Sequence, residues 1–355
     1  MRILSASIDL LRYQLDTPVG GSGVASFDLL VARVSLERGV EGLGFSYLLG
    51  GAGEAALASG QVLVGKLLSR GVIGHPEAAW RSLAATLNRS RRGPNYIALA
   101  AIDVAVWDAY ARALEVPLGI AMGGAARAVP VYGSGGFNAQ QTPDQAAEIV
   151  RKHAARGFRG VKPRMSCTLA DKQVLRSVSD NLPPHVELML DANEKGSATT
   201  APRLVALADE MGALFLEEPL PADDVEGYRA LSRLSSRIAT GEHLQGSAES
   251  LTFVSQRLCS VIQPDLAMAG GLTECLRIAR LAEAFGVEVS PHFLPGLFVH
   301  LAAAAPNVTW LEDFPLVEPL FEGWPEMSGN GQLSPREAPG HGLSLAPGVL
   351  QKYRV

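Results

Sequence analysis

Cysteine is scarce: the 355 residues hold three. Cys167, Cys259 and Cys275 show no CxxC spacing and leave an odd thiol over, which fits a reducing compartment better than a disulfide framework. Long apolar runs are missing as well. No stretch approaches the roughly 20 residues that span a bilayer, and the start, MRILSASIDLLRYQLD, lacks an uncharged segment followed by a small-residue cleavage site. A cytoplasmic protein with no membrane partner is expected. No basic block or interleaved aromatic stripe occurs, the net charge is −5 and the pI about 5.9, so nucleic acid is not an expected partner. Linkers and low-complexity tracts are absent too. What remains, 47% hydrophobic and 19% charged residues, is an ordinary globular composition, and the length suits two domains or one barrel with an attachment.

Residues 1 to about 60 alternate like antiparallel strands: Arg2 to Leu11, Leu29 to Leu36, a turn at Arg38-Gly39, then Val40 to Tyr47. Between the first two strands, Thr17 to Gly23 is too glycine-rich to hold one shape unaided, as a lid would be. From Pro76 to about Leu114 the pattern turns helical, and Ala98 to Leu114 is apolar nearly all round, as in a buried helix. An α+β module thus comes first.

After it, short apolar runs break off at ionisable side chains: Arg164, Asp191, Glu217, Glu242, Asp265, His292 and Glu312, at intervals of 20 to 27 residues. A strand and its returning helix take about that much chain. The expected strands are Phe158 to Arg164, Glu187 to Asn193, Leu214 to Pro219, Ile238 to Glu242, Val261 to Asp265, Val287 to His292 and Val308 to Glu312, preceded by one near Val129 to Ser134. Thr142-Pro143-Asp144-Gln145 reads as a capping box with proline at the first helical position. Leu272, Cys275, Leu276, Ala279, Ala282 and Phe285 form one helical stripe, with Thr273, Arg277, Arg280 and Glu283 opposite, as on an outer barrel helix. In a (β/α) barrel every strand points its C-terminal end at the same mouth, so these groups converge on one pocket.

Asp191, Glu217 and Glu242 on three successive strands place three carboxylates side by side. Like charges at that range repel, so either a proton is shared or a cation lies between them; an all-oxygen set favours a hard divalent ion, Mg²⁺ foremost. Asp265 and His292 end adjacent strands, and a carboxylate on one ring nitrogen leaves the other facing the pocket as a general base. Lys162 and Arg164 alternate on one strand and face the mouth together. Arginine keeps its proton near neutral pH, so Arg164 clamps an anion rather than abstracting a proton. Glu312 either donates a hydrogen bond to a developing oxyanion, if protonated, or pairs with Lys162 or an arginine. His243 and His300 have no partner in this pattern, and His300 is taken as structural. The parts describe proton abstraction next to a carboxylate.

At this point the residues resemble the enolase superfamily, in particular the mandelate racemase subgroup of the mandelate racemase/muconate lactonizing enzyme family. The matching text is VKPR (161–164), LDAN (190–193), LEEP (216–219), GEH (241–243), QPD with GG (263–271), SPH (290–292) and WLE (310–312), with GFSY (44–47) and AIDVAVWDAYARALEVPLGIAMGG (101–124) in the first module. No motif is strong alone; their order and spacing are specific over nearly the whole chain. The resemblance implies a modified TIM barrel, (β/α)7β, over residues 126–320, and an α+β capping domain over 1–125 completed by 321–355. It implies Mg²⁺ on Asp191, Glu217 and Glu242, a base dyad of Asp265 and His292, and Glu312 supporting the enediolate, which is the established chemistry of that superfamily. Lys162, Asn193 and Ser134 are then expected at the substrate carboxylate or α-hydroxyl, with Tyr47 and His243 as further substrate contacts. The Thr17–Gly23 lid and the Gly44–Leu49 segment would set specificity, and a homo-oligomer, dimer or octamer, is implied.

One departure shapes the expected reaction. Where the family's racemases carry a second lysine as the opposite-face base, this chain has Arg164. A 1,1-proton transfer wants two bases, whereas elimination of water needs one, so dehydration of a sugar acid to a 2-keto-3-deoxy acid is expected first. A racemase or epimerase of a 2-hydroxy acid is the alternative, favoured by the absence of charge between Thr17 and Phe27; a non-catalytic, metal-dependent carboxylate-binding protein is the third.

Overall fold

The computed structural model describes residues 1–19 and 23–355. The chain opens with an antiparallel sheet, β1 (Ile3–Val19), β2 (Val24–Leu36) and β3 (Glu41–Leu49), in that order. Between β2 and β3, Arg38 and Gly39 take positive φ of 64° and 73°. The first hairpin runs further than its apolar alternation indicates: β1 continues past Leu11 to Val19, which pairs with Val24. Cross-strand pairs support this extension, Tyr13 opposite Phe27 and Arg12 opposite Asp28, the latter as an ion pair at 2.7 Å, and Tyr13, Leu15 and Phe27 join the core. Thr17 to Val19 of the expected lid loop therefore lie in a strand; Gly20, Gly21 and Ser22 lie outside the described residues.

Helices α1 (Gly53–Arg70), α2 (Pro76–Ala85), α3 (Pro94–Ala113) and α4 (Leu118–Ala121) follow. Helix α3 is buried nearly all round because the sheet lies on one side and the barrel on the other. Against the sheet, glycine permits the approach: a Cβ added at Gly44 would stand 2.1 Å from the Ala101 carbonyl oxygen of α3.

The second part alternates strand and helix: β4 (Val129–Gly133), α5 (Pro143–Ala155), β5 (Gly160–Val161), α6 (Asp171–Asp180), β6 (Glu187–Leu188), β7 (Leu190–Asp191), α7 (Ala201–Glu210), β8 (Leu216–Glu217), α8 (Val225–Leu231), β9 (Ile238–Thr240), α9 (Ser247–Ser255), β10 (Val261–Ile262), α10 (Leu266–Ala269), α11 (Leu272–Phe285), β11 (Glu288–Val289), α12 (Pro295–Ala304) and β12 (Leu311–Asp313). One parallel run orders β11-β10-β9-β8-β7 and another β12-β4-β5-β6. Parallel bridges Arg164 to Asp191 and Val289 to Val308 join the two runs, so β6 and β7 act as one strand and eight strand positions enclose a barrel. The ladders are shorter than the apolar runs; β5 stops before Pro163, which has no N–H to give. Helix α5 starts at the expected capping box on Thr142 and Gln145.

The stripe on α11 packs inward, but its first turn differs from the expectation. Thr273 and Glu274 are buried, because α3 covers that end of the helix. Asp103 of α3 accepts hydrogen bonds from the backbone N–H and hydroxyl of Thr273 (2.8 and 2.7 Å), and Trp107 Nε1 donates to the same hydroxyl at 2.9 Å. The C-terminal segment returns to the first module: Arg354 pairs with Asp9 at 2.7 Å, and the rings of Tyr353 and Tyr13 meet at 5.0 Å. Among the described residues no helix is long and apolar enough to cross a membrane.

Burial raises the Asp103 carboxyl from its ordinary 3.8 to about 7, against the two Thr273 hydrogen bonds. The folded chain therefore holds a proton there that the unfolded chain has released, and this contribution to stability is lost as pH rises from about 4 to about 7. The thermal midpoint measured across that window should fall less for Asp103→Asn than for wild type.

Candidate active site

The C-terminal ends of the strands carry their ionisable groups into one interior. Asp191 closes β7 and Glu217 closes β8; Glu312 stands within β12; Glu242, Asp265 and His292 follow β9, β10 and β11 by two or three residues, and Lys162 and Arg164 follow β5. The chain leaves these strands through strained turns. Asn193 (φ 45°), Glu194 (59°), Glu218 (40°), Phe293 (30°) and Leu294 (51°) are all left-handed without being glycine. Each such residue costs about 1–3 kcal/mol and persists where its surroundings hold it, which is common at functional sites.

Lys162 sits at the centre of the acids, 1% exposed. Its ammonium pairs with Glu217, with Glu312 Oε1 at 2.9 Å and, more distantly, with Asp191 Oδ2 at 3.9 Å. Arg164 Nη1 donates to Asp191 Oδ2 (2.8 Å) and Asn193 Oδ1 (2.9 Å), and Asn193 donates its own amide and backbone N–H back to Asp191 at 2.9 and 2.8 Å. Glu312 Oε2 accepts the Phe293 N–H at 3.1 Å. Burial opposes ionisation of Glu312, but Lys162 and then His292 hold it down at about 2; it is an ion-pair partner here, not a protonated donor. The same burial, unrelieved despite Lys162 and reinforced by Asp191 and Glu242, pushes Glu217 well above the carboxylate range.

His292 Nδ1 lies 2.9 Å from Asp265 Oδ2, and its Nε2 faces Glu242 Oε2 at 3.2 Å. Burial works against the imidazolium, yet Glu242 and then Asp265 raise His292 to about 10. Asp265 also caps α10, its Oδ1 accepting the N–H groups of Ala267 and Met268 at 2.8 and 2.9 Å.

A cavity of about 530 Å³ opens onto this interior. Its barrel side presents Arg164, Asn193, Glu194, Glu242, His243 and His292; its other wall is apolar or small, from Val24, Ala25 and Leu49 of the first sheet and Phe314 and Leu316 beyond β12. Three expected substrate contacts, Lys162, Ser134 and Tyr47, do not line it; Lys162 is buried among the acids. Ser134 is fully buried, and Tyr47, buried too, turns its hydroxyl to Asp265 instead. His243 does line the cavity, and it has the partner the motif did not reveal. Its Nδ1 is 2.9 Å from Glu218 Oε1, with Glu194 at 3.7 Å, and the Glu218 hydrogen bond raises it to about 9. Sequence reasoning missed Glu218 and Glu194 because attention went to one acid per strand; the doubled acid in LEEP was the available signal. His300 is structural, accepting from the Gly119 N–H and facing the His341 carbonyl.

Fitness for a metal ion rests on the donors. Glu217 Oε1 is buried with no hydrogen-bond partner, and Asp191, Glu217, Glu242, Glu312 and Asp265 outnumber the cations Lys162, Arg164 and the His292 imidazolium. An unpaired buried carboxylate oxygen in an anionic surplus fits a divalent cation. Among the described residues the trio whose ligating atoms all lie within 4.8 Å of one another is Glu194, Glu218 and His243, not Asp191, Glu217 and Glu242.

A barrel with a separate antiparallel module over its mouth, acids on successive strand ends and an imidazole braced by aspartate define an enzyme class that works on carboxylate substrates. The chain belongs to the mandelate racemase/muconate lactonizing enzyme family of the enolase superfamily: residues 144–349 match the enolase C-terminal domain-like model, and 16–123 the N-terminal domain model of mandelate racemase and muconate lactonizing enzyme. It is 31% identical over 358 residues to the L-talarate/galactarate dehydratase of Salmonella typhimurium, covering 97% of this chain and 89% of that one. The crystal structure of L-talarate dehydratase from Polaromonas sp. JS666 with Mg and L-glucarate superposes with a TM-score of 0.92 at 30% identity, over 100% of this chain and 97% of that one. A racemase from Streptomyces coelicolor with bound magnesium gives 0.90 at 27%, over 99% and 100%.

Removing the charge at the centre tests the ion-pair reading. Lys162→Met leaves Glu217 and Glu312 buried without their cation, and unfolding by denaturant should show a loss of about 3–5 kcal/mol.

Proposed function

We propose that this protein dehydrates a sugar acid to a 2-keto-3-deoxy acid, with Mg²⁺ held by Asp191, Glu217 and Glu242. The observation that carries this reading is Arg164: it stands at the cavity wall where racemases of the family carry a second base, and Asp191, against the cost of burial, raises its pKa further. That wall offers a clamp for an anion and no proton acceptor. The similarity to sugar-acid dehydratases over nearly the whole chain supports the same choice.

Bound there, the metal would supply Lewis-acid stabilisation of charge growing on the substrate carboxylate. With Glu242 held as a metal ligand, His292 Nε2 would be free to take the α-proton, and Asp265 on Nδ1 fixes the tautomer. The electron pair of the broken C–H bond moves onto the carboxylate, beside Arg164. It then returns to form the C=C bond as the β C–O bond breaks, and the His292 imidazolium protonates the departing hydroxide. The resulting enol tautomerises to the ketoacid. Asn193, which lines the cavity, would meet the α-hydroxyl, and His243 with Glu194 the distal polyol. We place the enzyme in the cytoplasm as a homo-oligomer, in keeping with its three free cysteines and with the resemblance; residues 1–125 with 321–355 serve as cap and 126–320 as barrel.

A second reading has one observation in its favour. The cap-side wall of Val24, Ala25 and Leu49 carries no charge, which suits a less hydroxylated 2-hydroxy acid and racemisation. Incubating the protein with a panel of mono- and diacid sugars, Mg²⁺ and D₂O separates the two: dehydration yields a semicarbazide-reactive ketoacid, racemisation returns deuterated substrate in both configurations. Ketoacid formation should fall by about 10²–10⁴ in His292→Asn. Retention of activity in that variant would remove the histidine from the reaction. In calorimetry, Mg²⁺ at 100 times its dissociation constant should stabilise the fold by about 2.7 kcal/mol, and much less after Glu217→Gln.

A further inference from the structure

Tyr47 is set apart from the other expected site residues by where its hydroxyl goes. It comes from β3 of the first sheet, 218 positions from Asp265 in sequence, and donates its buried hydroxyl to Asp265 Oδ2. The same hydroxyl oxygen lies 3.4 Å from His292 Nδ1. Burial first, then the charge of Asp265, raises the phenol well above its ordinary value, so the group stays a donor.

The carboxylate is then fully used. Oδ1 takes the N–H groups of Ala267 and Met268, while Oδ2 takes Tyr47 and His292, so neither oxygen can rotate without breaking hydrogen bonds. Phe293 wedges the arrangement, its ring 4.7 Å from that of Tyr47 and 4.9 Å from that of His292, edge-on to both. The first module holds the other end of the same loop. Trp80 Nε1 donates to the Gly270 carbonyl at 2.7 Å, and Asp103 and Trp107 grip Thr273. Both ends of the segment from Asp265 to Thr273 are thus anchored to β3, α2 and α3.

We infer that Tyr47 is a positioning residue for the base: it locks the Asp265 carboxylate, and through it the His292 ring, so that the base is correctly aimed only while the first module is seated on the barrel. This rests on the reading of His292 as the base in the proposed reaction. The group that positions the base would be supplied by the module that also walls the cavity through Val24, Ala25 and Leu49.

The test is Tyr47→Phe in the full chain, which keeps the ring against Phe293 and removes only the hydroxyl. Two readouts are taken on the Mg²⁺-loaded protein. In ¹⁵N-histidine NMR, with His292→Asn for assignment, the wild-type His292 Nδ1 proton should exchange slowly with water, and Tyr47→Phe should speed that exchange at least tenfold. With whichever sugar acid the panel identifies, kcat should drop about 10–100-fold, the range seen when a supporting partner is removed, with KM within twofold. Unchanged exchange and unchanged kcat would overturn the inference and leave the dehydratase reading intact. If no panel acid reacts, the dehydratase reading fails while the exchange measurement still decides the role of Tyr47. If the variant does not fold, the unmodified chain decides: a nuclear Overhauser contact between the Tyr47 hydroxyl proton and the His292 Nδ1 proton supports the lock, and its absence overturns it.

Discussion

Negative charge is concentrated at the mouth of this barrel beyond what its own side chains neutralise, and most of the local structure answers to that. Two unit charges 4 Å apart interact by about 4 kcal/mol at an effective dielectric of 20, and five acids, Glu242 of them only partly buried, share the interior with Lys162, Arg164 and the His292 imidazolium. Lys162 can be almost wholly buried only because Glu217 and Glu312 meet its ammonium. Glu217 retains a buried oxygen without a partner, and Glu242 leans on His292 instead. A protein selected for stability alone would replace such a set with apolar side chains at little cost or even a gain. Its presence therefore points to a cation and an anionic substrate as the missing counterparts.

The fold supports this concentration with rigid parts. Short parallel strands fix where each acid begins, and the left-handed residues at Asn193, Glu194, Glu218, Phe293 and Leu294 turn the chain aside directly after it. Apolar packing continues around and below the charges: Lys162 Nζ stands 5.4 Å over the Tyr132 ring, itself part of a buried cluster with Met189, Phe215, Ala239 and Val261. The first module is part of the same support. Through Asp103, Trp107 and Trp80 it grips the barrel on the loop that bears Asp265, so cap seating and site geometry are one mechanical problem.

Much of this was legible in the sequence, for a reason particular to barrels. Strand ends that share one mouth make a regular interval of 20 to 27 residues into a statement about space, and Lys162, Arg164, Asp191, Glu217, Glu242, Asp265, His292 and Glu312 all come together in the interior. What stayed hidden depends on contacts between distant parts of the chain. Thr273 looked like a solvent-facing residue because helical periodicity knows nothing of α3 lying across that turn. His243 looked unpartnered because Glu218 reaches it only through a left-handed turn after β8. Tyr47 looked like a substrate contact because its motif lies in the first module; its hydroxyl points past the cavity to Asp265, a direction no local pattern encodes.

The choice between elimination and racemisation turns on one side chain whose neighbours deepen its character. A lysine at position 164 could lose its proton if burial outweighed its partners, and so serve as a base. Arginine starts from a pKa far above neutrality, and here Asp191 receives its Nη1 at 2.8 Å while Asn193 accepts beside it. The surrounding acids drive the guanidinium further toward permanent charge. The anionic surplus that calls for a metal also denies this wall a proton acceptor. A site so arranged can hold an anion against Arg164 and exchange protons at His292, and water loss through a single histidine is the chemistry that needs no more than that.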